Sequence, residues 1–216
     1  STIAFPFVID GYKEYTRCVQ ATLREERKPL STMAFALCFA MTLLPIPVPI
    51  AGASSHMCAT PLLALLLGPR IICFPVFGVL LLQAVFFAHG GLTTLGANIL
   101  TLGVIGPWIT FMMLRVLNRL GLKGPLSIGV SCFIGSLSVY FADAMILSWS
   151  LVDKQHFWKT FQIVSLGFLP VQTPLSILEA LLGSYVLVYL SKYREDFIPE
   201  SIHKIFQQTR PKFAVS

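Results

Sequence analysis

The chain has 216 residues, of which 55% are apolar and only 12% are charged, and its mean hydropathy is +0.75. A soluble domain carries about 25% charged residues, so this composition excludes an ordinary soluble protein. The net charge of +6 does not indicate a nucleic-acid partner. In a membrane protein, Lys and Arg collect in loops that face the cytoplasm.

The apolar runs are long and continuous, whereas membrane β-barrels show short alternating segments. The sequence therefore predicts an all-α, polytopic helix bundle in the lipid bilayer, with about six transmembrane segments. We divide the chain into a polar and basic N-terminal segment (1–30), a transmembrane bundle (31–191) and a cationic C-terminal tail (192–216). The five cysteines show no CxxC spacing, so we interpret them as small apolar residues without disulfides.

The polar residues 13–29 predict a surface helix that Pro29 ends. The first span, from Ser31 to Ile50, ends in PIPVP, which cannot continue as a regular helix, so this stretch must be buried in protein or line a cavity. Further apolar runs cover residues 57–68, 71–88, 95–117, 127–149 and 160–190. The run 57–68 is short for a full crossing, and Pro170 and Pro174 break the last run.

All basic segments can be placed on the cytoplasmic side without conflict, which puts both termini there. The same arrangement brings His56, His89 and Asn98 to the outer end of the bundle. We expect a multi-pass integral protein of the cytoplasmic (inner) membrane, with an organelle membrane as the alternative.

His56 follows the broken end of the first span and precedes the next helix. Neutral imidazole is a common transition-metal ligand, but an interfacial histidine bonded to a serine is equally compatible with the pattern. Met57 and Cys58 would point in other directions on a helix. His89, Gly90 and Gly91 form a turn before Asn98, which is consistent with a site or with an interhelical hydrogen bond.

Asp143 and Glu179 lie inside apolar runs, where an ionisable group is costly and is a functional hypothesis by default. For Glu179 we favour a carboxyl group that bonds helices together. The sequence has no Walker A, GxSxG, HExxH or dinucleotide fingerprint, so we predict no catalytic residues and no enzyme. Uphill transport would draw its energy from a partner or from an ion gradient.

Several segments resemble the CbiM/NikM family, the substrate-binding membrane subunits of energy-coupling-factor transporters for cobalt and nickel. They are EERKPLSTMAFALCFAMTLLPIPVPIAGASSHM, LLALLLGPR, LLLQAVFFAHGGLTTLGANILTLGVIGPW and SILEALLGSY. In that family the histidine of a Gly-x-Ser-x-His motif, which matches His56, is a metal ligand. The remaining ligands form an N-terminal hook, made of the terminal amine, an amide nitrogen and the histidine after Met.

FVIDGY, residues 7–12, resembles the segment that follows the hook, but Phe7 or Val8 stands where the family has histidine. The family also has an apolar span before the basic segment. We therefore expect a divergent member that lacks the N-terminal Met-His hook and the first span.

Two functions follow from the resemblance. The first is a metal-uptake subunit that transports Ni(II) or Co(II), holds no cofactor firmly, and works with a coupling membrane subunit and ATPase subunits. The second is a CbiM-like structural membrane subunit of a larger complex that has lost metal transport. For the first, we predict His56, His89 and Asp143 as metal ligands. The supporting residues would be Ser54, Ser55, Gly90, Gly91 and Asn98.

Overall fold

The computed structural model describes residues 4–21, 28–43, 46–48, 54–87, 91–151, 156–194, 198 and 202. Within these residues three helices are long and apolar enough to cross a membrane, and Cys73–Phe86 is a shorter apolar helix. The three are Thr93–Arg119, Pro125–Leu151 and Phe157–Tyr193. The predicted class of helical membrane protein is confirmed, while the number of spans and the side of the termini stay predictions.

The described elements, in chain order, are α1 Phe5–Ala21, α2 Lys28–Thr42, β1 Ile46–Pro47, β2 Ser54–Ser55, α3 Thr60–Leu67, α4 Cys73–Phe86, α5 Gly91–Asn98, α6 Gly106–Arg119, α7 Pro125–Leu151 and α8 Phe157–Tyr193. A π-helical segment, Ile99–Ile105, connects α5 to α6. The helices therefore follow the apolar runs of the sequence, with boundaries that differ by a few residues.

Two predictions about proline were wrong. Pro29 lies in the first turn of α2 and does not end a helix, because the first turn does not need the N–H that proline lacks. Pro170 and Pro174 lie inside α8, which continues through both for 37 residues. A proline is tolerated in a membrane helix where neighbouring helices and local adjustments satisfy the freed backbone groups, and α7 packs along α8 here.

The N-terminal helix begins at Phe5, earlier than the sequence predicted, and packs against α4. A Cβ atom added to Gly11 would lie 2.8 Å from the Arg70 carbonyl oxygen and 3.3 Å from the Phe74 nitrogen. The backbones of α1 and the start of α4 are therefore in close contact. One face of α1 is packed, although Phe5 and Tyr12 are exposed.

Small residues allow α6, α7 and α8 to pack closely. A Cβ atom on Gly106 would lie 2.5 Å from a methyl carbon of Val139, and one on Gly183 would lie 2.9 Å from the Cys132 sulfur. The four cysteines whose side chains are described, Cys38, Cys58, Cys73 and Cys132, are buried and free, in agreement with the prediction.

The short helix α3 occupies the interior of the bundle, and a β-hairpin leads to it. The described part of the PIPVP stretch was predicted to be buried or to line a cavity, but Ile46 and Pro47 are exposed and only Val48 is buried. Ile46 pairs with Ser55 and Pro47 with Ser54 in an antiparallel ladder. Every residue from Thr60 to Leu66 is buried. The short second apolar run is thus a helix of eight residues enclosed by protein, which explains why it need not be long enough to cross the membrane alone.

Candidate functional site

The segment 56–59 joins the hairpin to α3 and contains the strongest candidate ligand, His56. It belongs to neither a helix nor a strand, so its backbone groups need partners from elsewhere. Side chains of α7 and α8 supply them.

Tyr140 of α7 binds both backbone groups of His56. The His56 N–H donates to the Tyr140 hydroxyl oxygen at 3.1 Å, and the same hydroxyl donates to the His56 carbonyl oxygen. The two rings meet edge to face, with centroids 6.5 Å apart. Tyr140 lies in the middle of α7, so the structure places His56 beside the middle of that helix, whereas the sequence predicted the outer end of the bundle.

The His56 side chain is half-buried, and its Nδ1 lies 3.3 Å from the Met57 carbonyl oxygen. A hydrogen bond to a carbonyl places the proton on Nδ1, and Nε2 then carries the lone pair that binds a metal. This geometry is compatible with His56 as a metal ligand.

Glu179 of α8 binds the next part of the same segment. Its Oε1 accepts hydrogen bonds from the Cys58 N–H and, at 3.2 Å, from the Ala59 N–H. Ala59 has a φ of 54°, in the left-handed region, and directly precedes α3. A carboxylate at this position also compensates the positive end of the α3 helix dipole. Glu179 therefore joins α8 to α3, which agrees with the interpretation that we favoured from the sequence.

A buried polar layer lies beside this segment. Ser55 Oγ donates to Gln172 Oε1 at 2.6 Å, while Gln172 Nε2 donates to the hydroxyl oxygens of Ser136 and Ser176, both at 3.1 Å. Ser176 Oγ donates to Ser136 Oγ at 2.9 Å. All four residues are buried, so these bonds connect the hairpin, α7 and α8 where water does not compete. Ser55 thus has a structural role.

Asp143 lies one turn beyond Tyr140 on α7 and interacts with the Thr101 hydroxyl. The Thr101 hydroxyl donates its proton to the Asn98 carbonyl oxygen at 3.3 Å. Asn98 is half-buried and ends α5, where the π-helical segment begins. Such π-helical segments occur frequently at functional sites. Asp143 and Asn98 are therefore connected through Thr101, next to the turn of α7 that holds His56.

The other predicted residues are only partly described. His89 and Gly90 lie outside the described residues, Gly91 begins α5, and Ser54 is half-buried in β2. In the part of the chain that the structure describes, no three His, Cys, Asp or Glu side chains form a group that could hold a metal ion. The metal set of His56, His89 and Asp143 therefore stays a prediction.

Met57 is half-buried, whereas Cys58 is fully buried, with its sulfur 3.7 Å from the Tyr140 hydroxyl oxygen and 3.7 Å from the His56 carbonyl oxygen. The Cys58 side chain is thus enclosed by its own segment. Sequence reasoning missed Tyr140 and Gln172, because in an apolar run a tyrosine or a glutamine resembles a packing residue. The spacing of Tyr140 and Asp143 on one face of α7 was the available signal.

Comparison with known proteins gives matches over most of the chain. Residues 2–197 match the family model CbiM, described as a cobalt uptake substrate-specific transmembrane region. The cobalt transport protein CbiM of Geobacter sulfurreducens is 33% identical over 196 residues, which are 91% of this chain and 56% of that protein. The protein of the same name from Sorangium cellulosum is 34% identical over 175 residues, which are 79% of this chain and 76% of that protein.

Solved structures show the same fold. A transition metal transporter superposes with a TM-score of 0.75 at 22% identity, covering 97% of this chain and 92% of that one. A truncated transition metal transporter gives a TM-score of 0.74, also at 22% identity, over 87% of this chain and 89% of that one. These likenesses support the arrangement of helices described above.

Proposed function

The chain belongs to the CbiM family, and from this premise we propose that it is the substrate-binding membrane subunit of a divalent metal uptake transporter, with Co(II) or Ni(II) as the transported ion. The relatives are named as transport proteins, so the function is binding and translocation without a chemical reaction. The protein lies in a membrane, which we propose is the cytoplasmic (inner) membrane, with an organelle membrane as the alternative.

The observation that carries this proposal is the way in which the bundle presents His56. The backbone of this residue is fixed from α7, and Nδ1 faces a carbonyl oxygen, which directs the Nε2 lone pair away from the backbone. We propose that Asp143 and His89 complete the ligand set.

The polar residues around the ligands support the site. Ser54 and Ser55 shape the hairpin that leads to His56, and Ser55 is bonded to Gln172. Asn98 stands at the start of the π-helical segment, on the side of Asp143. We propose that Gly90 and Gly91 allow the chain near His89 to approach the ion closely. Transport against a gradient needs energy, which we assign to a coupling membrane subunit and ATPase subunits.

Metal binding to the purified full chain in lipid nanodiscs tests this proposal. We expect titration calorimetry to show stoichiometric binding of Co(II) or Ni(II) that is lost in the His56→Ala variant. The matched control is His156→Ala, because His156 is exposed at the N-terminus of α8. Absence of binding in the unmodified chain, or binding that His56→Ala leaves unchanged, would overturn the proposal and favour the structural membrane subunit.

A further inference from the structure

We propose that Tyr140 and Glu179 are positioning residues that together fix the backbone of residues 56–59 and thereby set the place of the His56 imidazole. The effect of this positioning on metal affinity rests on the proposed function. The hydrogen bonds from the two side chains to the backbone can be tested without any metal.

The two side chains bind successive backbone groups of one short segment. The single hydroxyl of Tyr140 accepts from the His56 N–H and donates to the His56 carbonyl oxygen. The single oxygen Oε1 of Glu179 accepts from the N–H groups of Cys58 and Ala59. The segment has no ladder of its own, so these bonds replace the pairing that a strand or helix would have provided.

The supports come from rigid elements far away in the chain. Tyr140 lies in the 27-residue helix α7, and Glu179 lies in the 37-residue helix α8. Both side chains are buried, at 5% exposure each, so water does not compete for their bonds. A ligand on an irregular segment acquires a defined position when supports of this kind hold its backbone.

The charge of Glu179 affects the binding of a cation near His56 separately from the hydrogen bonds that Glu179 accepts. The N-terminus of α3 carries a partial positive charge of roughly half an elementary charge, which would repel a divalent cation bound near His56. Glu179 Oε1 accepts from the N–H groups at that N-terminus, and the carboxylate offsets this charge when it is ionised. A glutamine would keep an acceptor oxygen but lose the negative charge, which separates the two contributions.

Hydrogen exchange measured by mass spectrometry on the full chain in nanodiscs tests the positioning role. We expect Tyr140→Phe to accelerate exchange at the His56 amide, and Glu179→Leu, which removes the acceptor oxygen, to accelerate exchange at the Cys58 and Ala59 amides, each by about tenfold or more. Glu179→Gln keeps an acceptor oxygen and should accelerate exchange at these two amides less than Glu179→Leu does. The controls are Tyr189→Phe, which is exposed on α8, and Ser131→Ala, which is buried on α7 and donates to the Ser127 carbonyl oxygen of its own helix. Neither control should change exchange in residues 56–59.

Calorimetry on the same variants tests the consequence for the ion. We expect the affinity for Co(II) to fall about tenfold or more in all three variants, as for other residues that orient a metal ligand. Unchanged exchange in residues 56–59 would overturn the inference, and so would altered exchange with unchanged Co(II) affinity.

If the unmodified chain binds neither Co(II) nor Ni(II), the proposed function fails, and the exchange data alone decide whether Tyr140 and Glu179 position the segment. If Glu179→Leu does not fold, as judged by exchange along α7 and α8, the Tyr140→Phe variant decides. This variant removes one hydroxyl and leaves the packed ring in place.

Discussion

Asp143 shares one face of α7 with Tyr140, so its carboxylate lies on the side that holds the His56 segment. A negative charge in this poorly solvated interior attracts a divalent cation far more strongly than a neutral amide does. We expect Asp143→Asn to lower the affinity for Co(II) by about tenfold or more, which corresponds to about 1.4 kcal/mol.

Titration calorimetry in nanodiscs measures this change, with Asp10→Asn on the exposed surface of α1 as the control. An affinity equal to that of the unmodified chain would show that Asp143 serves only as the partner of Thr101. It would then have no place in the ligand set.

Gly135 marks the closest approach of α6 and α7. A Cβ atom there would overlap the Thr110 hydroxyl and would lie 3.0 Å from Thr110 Cβ and 3.3 Å from the Gly106 carbonyl oxygen. Thr110 already donates to that carbonyl, so its side chain cannot turn away without losing a bond. We expect Gly135→Ala to lower the free energy of unfolding by about 1–3 kcal/mol, because it overpacks the contact.

Thermal unfolding in detergent would report this loss as a lower Tm. Gly129→Ala on the same helix is the matched control, because the nearest backbone atom to its Cβ atom, the Ala180 carbonyl oxygen, lies 3.6 Å away. The one close contact is the hydroxyl of the half-buried Ser184 at 2.7 Å, so we expect a smaller loss, limited to the bond from Ser184 to the Pro125 carbonyl oxygen. Equal Tm values for the two variants would contradict the explanation by backbone contact.

The helix α3 depends on its neighbours for its existence. Helices of eight residues are too short to be stable alone in water, so packing against α6, α7 and α8 must supply the stability. Leu63 is 2% exposed within this contact. We expect Leu63→Ala to lower the free energy of unfolding by about 2–5 kcal/mol through the cavity that it leaves.

Denaturation in detergent measures this effect, with Leu166→Ala on α8 as the control, since Leu166 is 65% exposed. If both variants lost the same stability, burial of α3 would not be the source of its order. In that case the hydrogen bonds that Glu179 accepts from the Cys58 and Ala59 N–H groups would have to be sufficient to order α3.

The sequence was a good guide to the positions of the long helices, because continuous apolar runs require helical backbone in a membrane. It was a poor guide to the effect of prolines. Pro170 and Pro174 break local bonds, yet the flanking turns of α8 are held by α7 along their length. Packing of this kind depends on the whole bundle and leaves no local signal.

The surroundings of His56 could be predicted only in part. The histidine itself was identifiable from its motif and from the proline-rich segment before it. Its supports were not, since Tyr140 and Glu179 are separated from the segment by 84 and about 120 residues. Pairing across such distances is determined by the three-dimensional arrangement of the helices. A single sequence contains no record of it.

At the scale of the whole molecule, two groups of aromatic residues along α8 lead us to expect the two faces of the membrane at their levels. Trp149, Phe157, Trp158 and Phe161 form a cluster at one end, while Tyr185, Tyr189 and Tyr193 form a ladder at the other. Phe161 and Tyr185 are about 36 Å apart at 1.5 Å per residue. The hydrocarbon core is about 30 Å thick, with aromatic belts at its edges. Gln172, and with it Ser55, therefore lies near the middle of the membrane.

The depth of positions along α8 in the membrane can be measured by fluorescence quenching with lipids brominated at different depths. In a background with the other tryptophans replaced by phenylalanine, we expect Trp158 to be quenched best by bromine near the headgroups. A tryptophan at the exposed position Ile177 should be quenched best by bromine near the chain ends, because it lies about 6 Å along α8 from the midpoint. Equal depths for the two positions would contradict the placement of the aromatic groups at the two membrane faces.

The length of α8 gives the molecule a mechanical property. One uninterrupted helix holds Gln172 against the hairpin, Glu179 against the start of α3, and the tyrosine ladder at a membrane face. Turning the helix by a single residue step, about 100°, would withdraw both polar side chains at the same time. Rotation of α8 caused at its tyrosine end would thus change the support of the His56 segment directly. Binding and release of the metal ion would then be coupled to one rotation of this helix.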